Sequence, residues 1–305
     1  MNGENRYDII REVRSARYDE IEEITKYNPY HDSRGRFTSA SGGGGISAAV
    51  APGPGAAGSA GGATTAGTAT AAGSFTPATT MEEAREYAKK QLGFSGYVDY
   101  SYSYIDPATG DQVTGSLDLD TVNSIHKQIT EIQEAYPQMK GAVVNATCTT
   151  ANVYAAMVHS GRNAETTLAI GAKSYKDGID SVYAKWDQDV LDGYHPQGTT
   201  GDAILWHEYG HVYAKQANVQ ALGPYASTRD IMGSIGSTKA ETGWKTTAAA
   251  KMQTDSSTYG SKVSGYSEKD DGELFAESFA AYNTGHSTQW TDAIIEAAGA
   301  QRKGG

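Results

Sequence analysis

The sequence predicts an α+β protein in which a mainly helical domain with a small sheet follows a long disordered tether. From Ser39 to Thr80 the chain has no charged residue and consists almost entirely of Gly, Ala, Ser, Thr and Pro. Such a segment buries too little apolar surface to offset the entropy lost on ordering. After Thr80 the composition becomes ordinary, and apolar residues recur there at helical and strand spacings. We therefore divide the chain into an N-terminal docking segment (1–38), a linker (39–80) and a domain (81–305).

Periodicity predicts three helices, over 5–26, 81–92 and 118–136. The first is short and amphipathic, and it suits docking as well as it suits a solvated helix without a partner. In the third, apolar residues from Leu119 to Ile132 share one side.

A β-hairpin is predicted next to the second helix. Residues Tyr97 to Ser103 alternate aromatic and small side chains, which is typical of a strand. The turn residues Asp106 to Gly110 then lead towards a second strand.

Composition limits the possible partners. The formal net charge is −11, nearly all of it after residue 80, so a nucleic-acid partner is not expected. No apolar run is long enough to cross a membrane, and the first twenty residues lack the apolar core of a secretory signal. The one cysteine, Cys148, excludes an internal disulfide, and we expect it to be a buried apolar residue.

The chemistry-bearing motif is His207-Glu208-Tyr209-Gly210-His211, in a run that reads as one helix with Asp202 as its N-cap. His207 and His211 are four residues apart, so both imidazoles lie on one face and reach one zinc ion at about 2.0–2.1 Å. Glu208 lies beside them and can reach a zinc-bound water without binding the metal. Gly210 costs about 1 kcal/mol relative to alanine inside a helix, so we expect another backbone to approach closely there.

A catalytic zinc site needs a third protein ligand. The best candidate segment is a helix from Asp270 to Tyr282, in which Glu273 and Glu277 share a face with Ala276 and Ala280. Small alanines allow close approach to a second helix, which we take to be the HExxH helix.

The choice of the third ligand leaves alternatives. Asp270 and Glu273 also fit a capping box, in which Glu273 would be a structural residue. Glu277 or Glu241 would then be the ligand. Four other histidines after the linker are expected to be ordinary surface or core residues: His126, His159, His195 and His286.

The HExxH motif followed by a Glu-x-x-x-Glu helix resembles the gluzincin metallopeptidases, in particular the branch that includes anthrax lethal factor and related phage and toxin peptidases. The resemblance implies a zincin-like fold with Zn²⁺ bound by His207, His211 and Glu273. It implies that Glu277 hydrogen-bonds a liganding histidine and that Glu208 is the general base. Tyr266, seven residues before Glu273, would donate to the oxyanion of the tetrahedral intermediate.

The resemblance also implies a strand along the cleft whose free edge pairs with the substrate backbone. Thr166 to Ile170, followed by Gly171 to Tyr175, is the candidate for that strand. Gly141 to Cys148 is the alternative.

Residues 27–39 resemble a short segment of head-associated proteins of tailed bacteriophages and prophages, where it commonly lies beside a low-complexity tether. The resemblance implies a virion or host-cell cytoplasmic setting and phage head proteins as partners. We therefore expect a zinc endopeptidase acting on a protein or peptide substrate in such a setting. The alternatives are a toxin-like effector peptidase and a non-catalytic virion protein with a structural zinc site.

Overall fold

The computed structural model describes residues 75–106, 109–160, 165–222 and 238–302. The predicted N-terminal helix, the phage-like segment and the linker up to residue 74 lie outside these residues, so those predictions remain predictions. The last residues of the predicted linker contact the domain. The backbone N–H of Ala78 donates to Asn123 Oδ1 at 2.9 Å, and the Asn123 amide donates back to the Ala78 carbonyl at 3.0 Å.

Helices form most of the described chain, and the two helices predicted after the linker are present. Side-chain caps begin both: Thr80 accepts from the N–H of Glu83, and Asp118 accepts from that of Thr121. The helices are α1 (Met81–Lys90), α2 (Leu119–Ala135), α3 (Ala172–Tyr175), α4 (Ile179–Leu191), α5 (Ala203–Leu222), α6 (Lys239–Lys251), α7 (Asp271–Asn283) and α8 (Gln289–Ala298).

Six strands form two sheets in the described residues: β1 (Val98–Asp99), β2 (Ser101–Ile105), β3 (Gln112–Ser116), β4 (Val143–Thr149), β5 (Ala155–Ser160) and β6 (Glu165–Gly171). A hairpin is present, because β2 and β3 pair antiparallel. The predicted first strand, Tyr97 to Ser103, is divided, however: β1 pairs with β4, and β2 begins at Ser101. The larger sheet has the order β1-β4-β6-β5, with β5 antiparallel to β6 and the other pairs parallel. A mixed α+β domain is confirmed.

The prediction of the edge strand was wrong. Both candidate segments are strands, but β6 lies between β4 and β5, and β4 lies between β1 and β6. Within the described residues the edge strands are β1 and β5, and neither was identified from the sequence; β5, Ala155–Ser160, is the edge that contacts the HExxH helix. Strand order depends on pairing between distant segments, and local alternation of side chains carries no information about it.

Helices α5 and α7 pack closely against each other, and α5 also contacts β5. A Cβ atom built on Gly210 would lie 2.9 Å from Cα of Ala276 and 3.3 Å from Cβ of Phe279. The glycine in the HExxH motif is therefore explained by the close approach of α7, as is the alanine on the facing helix. This confirms the prediction that these two helices are partners.

No helix within the described ranges combines the length and apolar character that crossing a membrane requires.

Candidate metal centre

The two motif histidines lie on adjacent turns of α5, and α7 faces them. His207 is 5% exposed, and His211 is half-buried. Helix α5 begins at Ala203, directly after Asp202, whose carboxylate accepts hydrogen bonds from Tyr183 and Gln128. The i, i+4 spacing therefore presents both imidazoles to one point, as the sequence predicted.

Glu273 completes a group of three donors. The Nε2 atoms of His207 and His211 lie 3.1 and 3.4 Å from Oε2 of Glu273. Donor atoms of these three residues all lie within 4.8 Å of one another, so the group could hold a metal ion.

The surroundings of Glu273 suit a residue that binds a cation. Its Oε2 is buried, and no group in the described ranges donates an aligned hydrogen bond to it, although both imidazoles are close. A buried carboxylate oxygen without a donor is costly unless something positive faces it. The imidazoles would supply that cation only when protonated, whereas a metal ion would supply it while they are neutral.

The capping alternative turns out to be compatible with the ligand prediction. Oδ1 of Asp270 accepts from the backbone N–H of Glu273 at 2.9 Å, so Asp270 is the N-cap of α7. The carboxylate of Glu273 nevertheless faces the histidines instead of returning to the cap. Residue Glu273 therefore occupies the third position of the helix and belongs to the donor group as well.

The second oxygen of Glu273 is held by two donors. The hydroxyl of Tyr266 donates to Oε1 at 2.9 Å, and Nζ of Lys269 lies 2.5 Å from the same oxygen. Burial raises the pKa of the Tyr266 phenol well above its ordinary value, and the Glu273 carboxylate raises it further. The phenol is therefore a stable donor, and it is bonded to the candidate ligand.

Glu277, one turn further along α7, is completely buried and fully paired. Its Oε1 lies 2.8 Å from Nδ1 of His207 and 3.1 Å from Nδ1 of His195. Ser264 donates to its Oε2 at 3.1 Å. Burial raises the pKa of the Glu277 carboxyl, but the His195 and His207 imidazoles outweigh burial and lower it to about 2. Nδ1 of His207 makes no aligned hydrogen bond within the described residues, so the hydrogen bond expected from Glu277 stays a prediction, which this short contact supports.

His195 is the site residue that the sequence analysis missed, since it was expected to be an ordinary histidine. Its ring stacks on Trp186 with centroids 3.6 Å apart, and it is 4% exposed. Its contact with Glu277 spans 82 residues of sequence, and no local motif surrounds it. We find no sequence signal that would have identified it.

Glu208 lies beside the donor group without belonging to it. It is 7% exposed, and its Oε2 accepts from the backbone N–H of Met157 on β5 at 2.7 Å. Burial raises the pKa of the Glu208 carboxyl above its ordinary value. A carboxyl with a raised pKa is a better proton acceptor near neutral pH.

Neither Glu241 nor Cys148 belongs to the group that could hold a metal ion. Glu241 forms a capping box with Thr238 at the start of α6, so it is a structural residue. Cys148 is buried, as expected, and its thiol donates to the Tyr100 carbonyl. Burial raises the pKa of that thiol to about 12, which opposes a nucleophilic role.

A cavity of about 100 Å³ adjoins the donor group. Its walls include His207, Glu208 and Tyr266 from the centre, and Tyr154, Trp186 and His195 from the surrounding aromatic cluster. A small molecule or a substrate side chain entering this cavity would therefore contact the metal centre directly.

Comparison of the chain with protein-family models, curated proteins and solved structures gives no significant match. The chemistry of the residues described above is therefore the basis for assigning a function.

Proposed function

We propose that this protein is a zinc-dependent endopeptidase with a gluzincin-type centre in a zincin-like domain. The observation that carries the proposal is a group of three potential metal ligands with a separate carboxylate beside it, all on two adjacent helices. His207, His211 and Glu273 could hold a metal ion. The buried carboxyl of Glu208 lies beside them and is not one of the candidate metal ligands.

Zinc fits these ligand atoms better than magnesium or calcium does. Two imidazoles and one carboxylate form a catalytic zinc set that leaves a position for water. Magnesium and calcium prefer sites built entirely of oxygen ligands. Zinc, when bound, would act as a Lewis acid towards the scissile carbonyl and lower the pKa of a coordinated water.

The protein groups around the site have separable tasks. Glu208 accepts the proton of the attacking water and delivers it to the leaving amine. Glu277 fixes the His207 ring through Nδ1, which leaves Nε2 free to bind the metal. In the structure Tyr266 donates to Glu273, so its proposed second role at the oxyanion requires the phenol to leave that bond.

A peptide substrate is supported by the position of β5. This strand is a free edge of the larger sheet within the described residues, and Met157 on it contacts Glu208. An extended chain that added to this edge would bring its backbone next to the general base. The edge strand thus provides main-chain recognition at the point where hydrolysis would occur.

The proposal is tested with the Glu208→Gln variant. We expect zinc content equal to that of the wild type, because Glu208 is not a donor, and loss of all detectable peptide cleavage. Zinc is measured by elemental analysis. Cleavage is followed by mass spectrometry of new termini in a proteome-derived peptide library.

Glu268→Gln is the matched control, because it removes the same charge from an exposed residue near the centre. It should cleave as the wild type does. Cleavage by the Glu208→Gln variant at the wild-type rate would show that the proposed mechanism is wrong.

A structural zinc site is the simplest competing function. It accounts for the three ligands and leaves Glu208 only its bond to the Met157 N–H, whereas the catalytic reading also explains a buried carboxyl beside the metal position. A head-associated location or an effector role would rest on residues 27–39, outside the described part, and both remain proposals about where the same chemistry is used.

A further inference from the structure

Lys269 makes a contact that a surface ion pair does not explain. Its Nζ lies 2.5 Å from Oε1 of Glu273 and 3.3 Å from the hydroxyl of Tyr266, and it lies 5.0 Å from the centre of the Tyr266 ring. The lysine precedes α7, which begins at Asp271, so the pair is not two neighbours on one helix face. The carboxylate that it contacts is buried.

The two oxygens of Glu273 have opposite surroundings. Oε2 faces the Nε2 atoms of both histidines and has no aligned donor in the described ranges. Oε1 accepts hydrogen bonds from the Tyr266 hydroxyl and the Lys269 ammonium. The chain therefore presents one oxygen to the metal position and holds the other away from it.

We propose that Lys269 is a positioning residue that keeps Glu273 a one-oxygen ligand and reduces the negative charge that Glu273 offers to the metal. The inference rests on the metal site of the proposed function but not on peptidase activity. Restricting Glu273 to one oxygen preserves the position that a water needs. Reducing its charge leaves more positive charge on the zinc, which favours ionisation of that water.

If Lys269 has this role, its substitution should strengthen zinc binding, whereas substitutions next to a metal site usually weaken it. Removing most supporting groups weakens metal binding by about 10–100-fold, because they increase the basicity of a ligand. Lys269 has the opposite effect, since a like charge close to the cation position opposes metal binding. Lys269→Met should therefore bind zinc more tightly, by about tenfold, while cleaving peptides more slowly.

The test measures the zinc dissociation constant of the full chain by competition with a chelating dye at fixed pH. The chain is compared with Lys269→Met, Lys269→Arg and Lys245→Met. Arginine keeps the positive charge and should bind zinc within about threefold of the wild type. Lys245 is the matched control: it pairs with Asp271 at the start of the same helix and does not contact Glu273.

Cobalt substitution gives a second readout that does not depend on catalysis. If Lys269 holds Oε1 away from the metal, the Lys269→Met variant allows both oxygens of Glu273 to bind. The visible absorption of bound Co²⁺ should then weaken, as it does when the coordination number rises. The Lys269→Arg and Lys245→Met variants should keep the wild-type spectrum.

Unchanged or weaker zinc binding in a folded Lys269→Met variant would overturn the proposal, as would equal tightening in Lys245→Met. A wild-type chain that binds no zinc would also overturn it. A wild-type chain that binds zinc but cleaves no peptide would contradict the proposed function alone, and the affinity and cobalt measurements would still decide the role of Lys269.

Discussion

Two glutamates one turn apart on α7 differ in a way that distinguishes a candidate metal ligand from a fully paired neighbour. Glu277 is completely buried, and each of its oxygens has a hydrogen-bond partner: Nδ1 of His195 contacts both, and the Ser264 hydroxyl donates to Oε2. Glu273 has one oxygen held by Tyr266 and Lys269 and one buried oxygen without an aligned donor. The difference lies in the partners, since residue type and helix are the same.

The comparison shows why a buried carboxylate is not by itself a ligand. Glu277 has no remaining capacity for a cation, because the protein already satisfies it. Glu273 has capacity on one oxygen only, and that oxygen faces the Nε2 atoms of His207 and His211. Incomplete satisfaction of a buried group in a folded domain is thus the more informative observation.

The largest expected effect distinguishes the two glutamates directly. Glu273→Gln removes a charged ligand, so we expect more than about 100-fold loss of zinc affinity. Glu277→Gln keeps all three ligands and weakens only the hold on His207, so the expected loss is about 10–100-fold. Zinc affinity is measured by competition with a chelator.

Thermal unfolding of the metal-free variants provides the control for that experiment. Glu277→Gln should lower the melting temperature more than Glu273→Gln does, because it disrupts a fully paired buried cluster. If Glu277→Gln lost zinc more severely than Glu273→Gln while remaining folded, the assignment of ligand and support would have to be reversed.

A smaller effect is expected from the contact that brings both glutamates to α5. In Gly210→Ala the new methyl group would lie 2.9 Å from Cα of Ala276. Overpacking of this kind costs about 1–3 kcal/mol of unfolding free energy. Chemical denaturation measures the loss.

Gly243 on α6 is the matched control for Gly210, because a Cβ atom built there meets nothing within 4 Å. Gly243→Ala should stabilise the protein by up to about 1 kcal/mol through helix propensity. Equal effects of the two substitutions would mean that α5 and α7 do not approach as closely as described.

The smallest expected effect concerns His195, which is not a candidate ligand and contacts Glu277 and the Tyr266 ring. His195→Phe keeps a ring against Trp186 but removes the donor, so Glu277 retains His207 and Ser264. We expect less than about tenfold loss of zinc affinity. His195→Gln, whose amide can donate, should recover part of it, and identical losses in both variants would point to ring packing as the role of His195.

The parts of the site that depend only on residues close together in sequence could be predicted. The spacing of His207 and His211, the cap at Asp270 and the glycine facing α7 each follow from rules that act within one or two helical turns. The hairpin of β2 and β3 was also predictable, because its strands are adjacent in sequence and joined by a recognisable turn.

Features that depend on distant segments were not predictable in this way. Strand order placed β5 at the free edge although the candidate segments were β4 and β6. His195 approaches Glu277 across 82 residues, and a lone histidine in a polar segment has no periodicity that marks it. The capping box and the ligand were not true alternatives. The Asp270 side chain caps the backbone N–H of Glu273, and the Glu273 carboxylate faces the two motif histidines.

The hydrogen bond from Met157 to Glu208 also bears on how the protein resists aggregation. A free sheet edge can template the addition of strands from other molecules, and here a carboxylate already occupies one N–H of the β5 edge. Any strand that adds to β5 at Met157 must displace Glu208. This opposes unspecific edge-to-edge association, and it means that binding of the proposed substrate would release the general base from this contact. The Glu208→Gln variant keeps an amide oxygen that can accept from this N–H. Truncation to alanine would remove both the general base and the acceptor for the Met157 N–H.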